Sequence, residues 1–242
     1  MSSLYLNPAL EDASPGSRVG LDGDEAKHAV TVARTRVGER LSIGNGRGLL
    51  VSGPVTHLDP FTIDVDDARR EPAPDPELWL VQALAKGDRD ELAVQAATEL
   101  GVSGVIPWAA ERSVTRWEGA KLEKGRSRWE SIVREASKQS IRAWVPEVGA
   151  LISTGSITAT GSITGTLLVL DPTADEALSS VALPASGRIS LVVGPEGGIS
   201  PRELDLLEQQ GSVRVRLGSE ILRTSTAGPA AIAVLNVRLG RW

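Results

Sequence analysis

The sequence predicts an α/β protein: a small β-barrel followed by a mostly parallel sheet that alternates with helices. Three observations carry this expectation. Residues 1 to about 70 hold short alternating apolar runs separated by glycine turns, the texture of a small barrel. Arg69-Arg70-Glu71-Pro72-Ala73-Pro74-Asp75-Pro76 then sets prolines at alternate positions, which resists both helix and central strand. Beyond it, apolar runs alternate with helix-length segments, as they do where helices cross over a parallel sheet. The expected domains are therefore 1–72 and 76–242.

In the first domain, Arg40-Leu41-Ser42-Ile43, Asn45-Gly46-Arg47-Gly48 and Leu49-Leu50-Val51 read as strand, turn and strand. Thr62-Ile63-Asp64-Val65 is a further short strand. In the second, Leu78-Trp79-Leu80-Val81 reads as a buried strand and Asp88 to Leu100 as an amphipathic helix stopped by Gly101. Val105-Ile106-Pro107-Trp108 is the next strand, and Glu118 to Ser140 a long basic helix interrupted at Gly125. The Ser/Thr/Gly-rich piece from Ile152 to Gly165 has no clear period and reads as a surface loop. Thr166 to Leu170 is a strand, Ala174 to Leu183 a helix, and Ile189 to Val193 another strand.

The next helix has clear punctuation. Ser200 is placed to cap it, Pro201 suits its first position, Glu203 completes a capping box, and Gly211 stands just past its end. Val213 to Arg216 alternates as a strand, and Thr226 to Leu239 forms the final helix. No charged residue occurs from Thr224 to Val237, and a helix that is apolar all round must be covered on more than one side. It is either central within one subunit or shared with a second.

Composition narrows the function. The 242 residues are 41% hydrophobic and 24% charged, as in an ordinary soluble protein. The absence of cysteine excludes disulfides, thiolate metal sites and cysteine nucleophiles. Two histidines are too few for a histidine-rich metal centre, so no metal is expected. No signal-peptide pattern opens the chain and no apolar run is long enough for a membrane span, which predicts a cytoplasmic protein without a membrane partner. A net charge of −5 argues against a general nucleic-acid binder. Yet Arg112 to Arg142 contains nine Lys/Arg against four Glu, so any RNA contact should be local.

Gly194-Pro195-Glu196-Gly197-Gly198 follows a strand and opens into a helix, the place where open α/β sheets bind small molecules. It is neither a Walker A loop nor G-x-G-x-x-G, and no lysine follows to meet phosphates. Glu196 would repel phosphate and suits a ligand with positive charge or hydrogen-bond donors. A second glycine-bearing loop, Leu217-Gly218-Ser219-Glu220-Ile221-Leu222-Arg223-Thr224-Ser225-Thr226-Ala227, follows the next strand.

The two loops together resemble the C-terminal signature of the RsmE family in the SPOUT superfamily, whose members methylate N3 of one uridine in small-subunit ribosomal RNA. Glu99-Leu100-Gly101-Val102, Glu111-Arg112-Ser113 and Glu135-Ala136-Ser137-Lys138-Gln139-Ser140 with Arg142 and Pro146 are similar to further family segments, as is His28 to Arg34 with Gly38. The resemblance implies a PUA-like RNA-docking barrel, a SPOUT-type domain with a C-terminal trefoil knot, and a homodimer. It implies S-adenosylmethionine bound by Leu170, Asp171, Gly194, Pro195, Glu196, Gly197, Gly198, Leu217, Gly218, Ile221, Leu222 and Thr226. Arg223 is the expected catalytic residue, stabilising or orienting the uracil. RNA contacts are expected from Arg34, Lys86, Arg112, Lys138, Gln139 and Arg142; of these, Arg34, Lys138, Gln139 and Arg142 otherwise read as solvated helix-surface residues. Leu92, Ala96 and Glu99 share one helical face, so Glu99 is expected to turn inward and need a partner; the resemblance makes Arg112 that partner in a structural ion pair, with a place in the RNA or catalytic surface as the alternative. Trp129 shares its spacing with Ile132, Val133 and Ala136 and reads as core. The family commonly has glutamate where this chain has Ser225, and an arginine near the start where this chain has Ser2 and Ser3. Ribose 2′-O methylation and non-catalytic RNA binding are the rival functions.

Overall fold

The computed structural model describes residues 4–159 and 163–242. Ser2, Ser3 and part of the 152–165 stretch lie outside the described residues. The chain divides into two compact units, Met1–Ala73 with Ser137–Val145, and Pro74–Ala136 with Pro146–Trp242.

The first unit contains β1 (Leu4–Leu6), β2 (Arg18–Gly20), α1 (Gly23–Lys27, continued by a π-helical turn His28–Val32), β3 (Arg40–Gly44), β4 (Leu49–Leu58), β5 (Phe61–Asp64) and β6 (Asp67–Arg70). The strand order is β1-β3-β4-β5-β2, with β6 beside β4. The expected hairpin is present, with Ile43 of β3 opposite Val51 of β4. Its turn needs glycine for a reason beyond backbone freedom. At Gly48, with φ +97, a Cβ would stand 2.5 Å from the Glu71 carbonyl oxygen and 2.9 Å from the Trp144 ring. β4 serves different partners along its length, β6 through Leu49–Ser52 and β5 beyond Val55, with an irregularity between Val55 and His57. Such a bulge bends a strand. Ile43, Val51, Phe61 and Ile63 form the core of this unit. Ala143 and Trp144 pack with Leu4 and Leu50, and the Trp144 indole donates to the Glu71 carbonyl at 3.0 Å.

The second unit follows with β7 (Glu77–Ala83), α2 (Arg89–Glu99), β8 (Gly104–Ala109), α3 (Ala120–Gln139), β9 (Glu147–Val148), β10 (Ile152–Ser153), α4 (Thr154–Ala159), β11 (Thr166–Leu170), β12 (Arg188–Val193), α5 (Pro201–Gln209), β13 (Val213–Val215) and α6 (Thr224–Arg238); the last residues of α3 belong to the first unit. The sheet runs β10-β8-β7-β12-β11-β13, with β9 beside β8. Every described pairing in it is parallel, as the alternating pattern predicted. Trp79, Val81, Trp108, Val169, Val192 and Leu207 pack in one cluster. α6 packs on α2 and against β7 and β12, and Trp129 is buried as expected.

Four expectations need correction. No helix forms over 174–183; the segment is turns with one bridge from Ala177 to Arg216. Its backbone is drawn to the end of β13 instead, with Arg216 N–H donating to Glu176 O and Leu178 N–H to Arg216 O. Gly125 does not interrupt α3. A Cβ there would lie 2.4 Å from the Trp117 ring, so the glycine admits an indole rather than breaking the helix. The 152–165 stretch is not simply a loop, since β10 and α4 occupy its first half; Ile152 pairs beside Trp108, and the Trp108 indole holds Thr154 at 3.1 Å. Finally, Glu99 faces out and accepts from Gln95 at 3.1 Å. The buried face of α2 is Asp90, Ala93, Val94, Ala97 and Thr98, because α6 covers that side. Arg112 is engaged elsewhere.

Candidate active site

The carboxyl ends of β11, β12 and β13 release three loops, and a cavity of about 710 Å³ lies among them. That volume falls within the ordinary range for small-molecule sites. Leu170, Asp171, Gly194, Pro195, Glu196, Gly198, Leu217, Gly218, Ile221 and Leu222 line it, as does Arg223. Gly197 and Thr226 do not appear among the lining residues. Gly197 packs on Arg112, whose Cβ would be 3.3 Å from an added Cβ, and the Thr226 N–H closes the first turn of α6 on Arg223 O at 2.8 Å.

The β12–α5 loop is held from several sides. Ser200 Oγ accepts from Glu203 N–H and the Glu203 carboxylate accepts from Ser200 N–H, both at 3.2 Å, so the capping box forms as predicted. Glu203 also receives the Glu111 N–H at 2.8 Å and the Thr154 hydroxyl at 2.7 Å. A Cβ on Gly194 would come 2.7 Å from the Ile199 side chain, and Gly198 has φ +72. These glycines serve the folding of the loop as well as any ligand. Arg112 donates to Gly197 O at 3.0 Å. Glu196 accepts from Lys86 N–H at 3.0 Å and from Arg89 at 2.9 Å. Burial acts to raise the Glu196 carboxyl, but the backbone donors and the Arg89 guanidinium outweigh it and hold it below the usual range. The carboxylate that the sequence offered to a cation thus already has a counter-charge. Arg89 escaped sequence reading because its partner is 107 residues away.

The β11 loop is clamped by alternate arginines at the end of β13. Arg214 meets Asp171 at 2.7 Å, and Asp171 also accepts the Thr173 N–H and hydroxyl, both at 2.8 Å. Burial raises the Asp171 carboxyl, while these hydrogen bonds and Arg214 lower it to a net value below the ordinary one. Arg216 donates to the carbonyls of Ala174 and Asp175. The third loop ends at Arg223, the N-cap position of α6; its guanidinium makes no hydrogen bond among the described residues. Ile221 and Leu222 are 84% and 38% exposed, so the apolar wall they form is open in a single chain.

The remaining candidates fall in two places. Lys86 and Arg112 adjoin the glycine loop through the contacts above. In the first unit, Arg34 is exposed with φ 54 and Gln139 is exposed. There Lys138 is ion-paired with Glu25 at 3.3 Å, both side chains largely buried, so its charge is neutralised internally. Burial pushes Arg142 down to about 10, with Glu71 opposing. Among the described residues, no cluster of three or more His, Asp or Glu could hold a metal, and no helix is long and apolar enough to cross a membrane.

Two family models match this chain: an RNA methyltransferase PUA domain over residues 21–66 and an RNA methyltransferase domain over 71–236. The chain is 41% identical to the ribosomal RNA small subunit methyltransferase E of Mycobacterium bovis, over all of this chain and 94% of that one. It is 30% identical to the protein of that name from Bacillus subtilis, over 98% and 96%. The crystal structure of ribosomal RNA small subunit methyltransferase E from Neisseria gonorrhoeae bound to S-adenosyl methionine is similar, with a TM-score of 0.85, 27% identity and 98% of each chain covered.

Proposed function

The chain belongs to the ribosomal RNA small subunit methyltransferase E family, and we propose that it moves a methyl group from S-adenosylmethionine to N3 of a uridine in small-subunit ribosomal RNA. The observation that carries this reading is the cavity at the ends of β11, β12 and β13, bordered by both glycine loops and by Arg223. Its lining suits the donor. Leu217, Ile221 and Leu222 offer apolar walls, and loop backbone offers donors and acceptors for an adenine edge and a ribose. The donor supplies a methyl carbon on a sulfonium, open to in-line displacement, so the protein acts chiefly by positioning.

As the S–CH3 bond breaks to leave a neutral thioether and the N3 proton passes to water, Arg223 stabilises or orients the uracil, since its guanidinium is free and adjoins the cavity. Lys86 and Arg112 guide RNA at the mouth, and the exposed Arg34 and Gln139 belong to a docking surface on the PUA-like unit, which Lys138, spent on Glu25, and the half-buried Arg142 support without offering free charge. The protein works in the cytoplasm on the assembled small subunit. It is a homodimer built on the outer face of α6, and the last third of its chain is threaded as a trefoil knot.

The test is incubation with S-adenosylmethionine and small ribosomal subunits lacking the modification, followed by mass spectrometry of nucleosides. The expected product is 3-methyluridine. A ribose 2′-O-methylated product would replace the base assignment with the ribose one, and no product with tight RNA binding would favour a non-catalytic factor.

A further inference from the structure

Gln82 is fully buried in β7 beside Leu80 and Val81. Its amide nitrogen donates to Ala83 O at 3.1 Å and to Thr224 Oγ1 at 2.8 Å. Its amide oxygen has no partner among the described residues. An amide with an unmatched oxygen is a poor choice for packing alone, because burying that oxygen is unfavourable. The chemistry of Thr224 shows what the arrangement achieves. A hydroxyl has one proton, and with Gln82 donating to its oxygen that proton is directed at Gly194 O, 2.8 Å away. Reversing the amide would set oxygen against the Ala83 carbonyl and remove this direction.

The chain from Gln82 through Thr224 to Gly194 therefore ties the centre of the sheet to the first residue of the glycine loop and to the first turn of α6. Thr224 immediately follows Arg223. One turn along the same helix, Gly228 permits the close approach, since a Cβ there would already be 3.1 Å from Leu80.

We propose that Gln82 and Thr224 are positioning residues, a hydrogen-bond relay that fixes the Gly194 carbonyl and the start of α6 so that the donor loop and Arg223 are set as one unit. The inference rests on the pocket's reading as a donor site. Neither residue needs to touch the reacting atoms.

The test compares Thr224→Val, Thr224→Ser, Gln82→Met and the double variant Gln82→Met/Thr224→Val in the full chain. S-adenosylmethionine affinity is measured by calorimetry, and amide hydrogen exchange is measured without it. Loss of the relay should weaken donor affinity about ten-fold, the worth of one hydrogen bond, in Thr224→Val and Gln82→Met. The double variant should be no worse than the weaker single one, since both cut one path, and Thr224→Ser should restore affinity. Exchange at the Gly198, Thr226 and Ala227 amides should quicken in the Val and Met variants, while that of Leu235 in the same helix holds. Unchanged donor affinity across the set, or uniform quickening along α6, overturns the relay. If the wild-type chain binds no donor, the proposed function falls and the relay is judged on exchange alone: selective quickening upholds it and its absence overturns it.

Discussion

Arg223 and Asp171 both border the cavity, yet their surroundings differ. The Arg223 guanidinium has no hydrogen-bond partner among the described residues, so on the proposed role its removal should disturb the transition state more than the fold. Arg223→Ala is expected to leave donor affinity within a few-fold while turnover falls by about 10²–10³, the scale of losing one preorganised electrostatic contact. Single-turnover rates beside calorimetry check this. Asp171 is held by Thr173 and Arg214, and folding lowers its pKa. A lowered carboxylate contributes stability above its unfolded value near about 4, and that contribution is lost as pH falls through the lower folded value. The difference in melting temperature between wild type and Asp171→Asn should therefore be largest near neutrality and shrink as the medium is acidified below the ordinary carboxylate range; a constant difference would count against the pairing. Loop residues of this kind were legible by type and spacing. Their partners were not: Arg89 on Glu196 and Arg214 on Asp171 are joined only by folding, and Glu99 faces out because α6 decides which face of α2 is buried.

Among the elements, those with local punctuation could be read most directly. The capping box of α5 needs only Ser200, Pro201 and Glu203 in sequence, and both reciprocal bonds form. Ser200→Ala removes the cap and also its bond to Glu111, so a loss of about 2 kcal/mol is expected, or roughly 4–8 °C in melting temperature for a chain this size. A shift under about 1 °C by calorimetry would contradict the role given to the cap. The expected 174–183 helix failed for the converse reason. Its residues tolerate a helix, but Arg216 collects the carbonyls of Ala174 and Asp175, a tertiary demand that local preference cannot reveal. Gly125 departs from its expected role on the same ground, since it seats the Trp117 ring and does not break the helix.

For the whole molecule, the uniform apolarity of α6 is explained in part by one chain. Gly228, Ala231, Ile232 and Leu235 are buried, whereas Pro229, Ala230, Ala233 and Val234 are half-buried and Val237 is 60% exposed. A second copy on this face would finish the burial. Val237→Asp should then convert a sedimenting dimer to a folded monomer, and a wild-type chain that sediments as a monomer at micromolar concentration would remove the homodimer. The fold class, the parallel sheet and the position of the glycine loops followed from hydrophobic period and turn residues. The packing of Ala143 and Trp144 on Leu4 and Leu50 did not, since nothing local marks a distant segment as belonging to the first unit.

Whether the bends after β11, β12 and β13 close on one methyl donor can be read by chemical-shift mapping of the isotope-labelled protein during an S-adenosylmethionine titration. Saturable shifts are expected, with a Kd tighter than about 1 mM, concentrated at Leu170–Thr173, Gly194–Ile199 and Leu217–Ala227. Shifts that never saturate, or that gather away from these three segments, would contradict such closure.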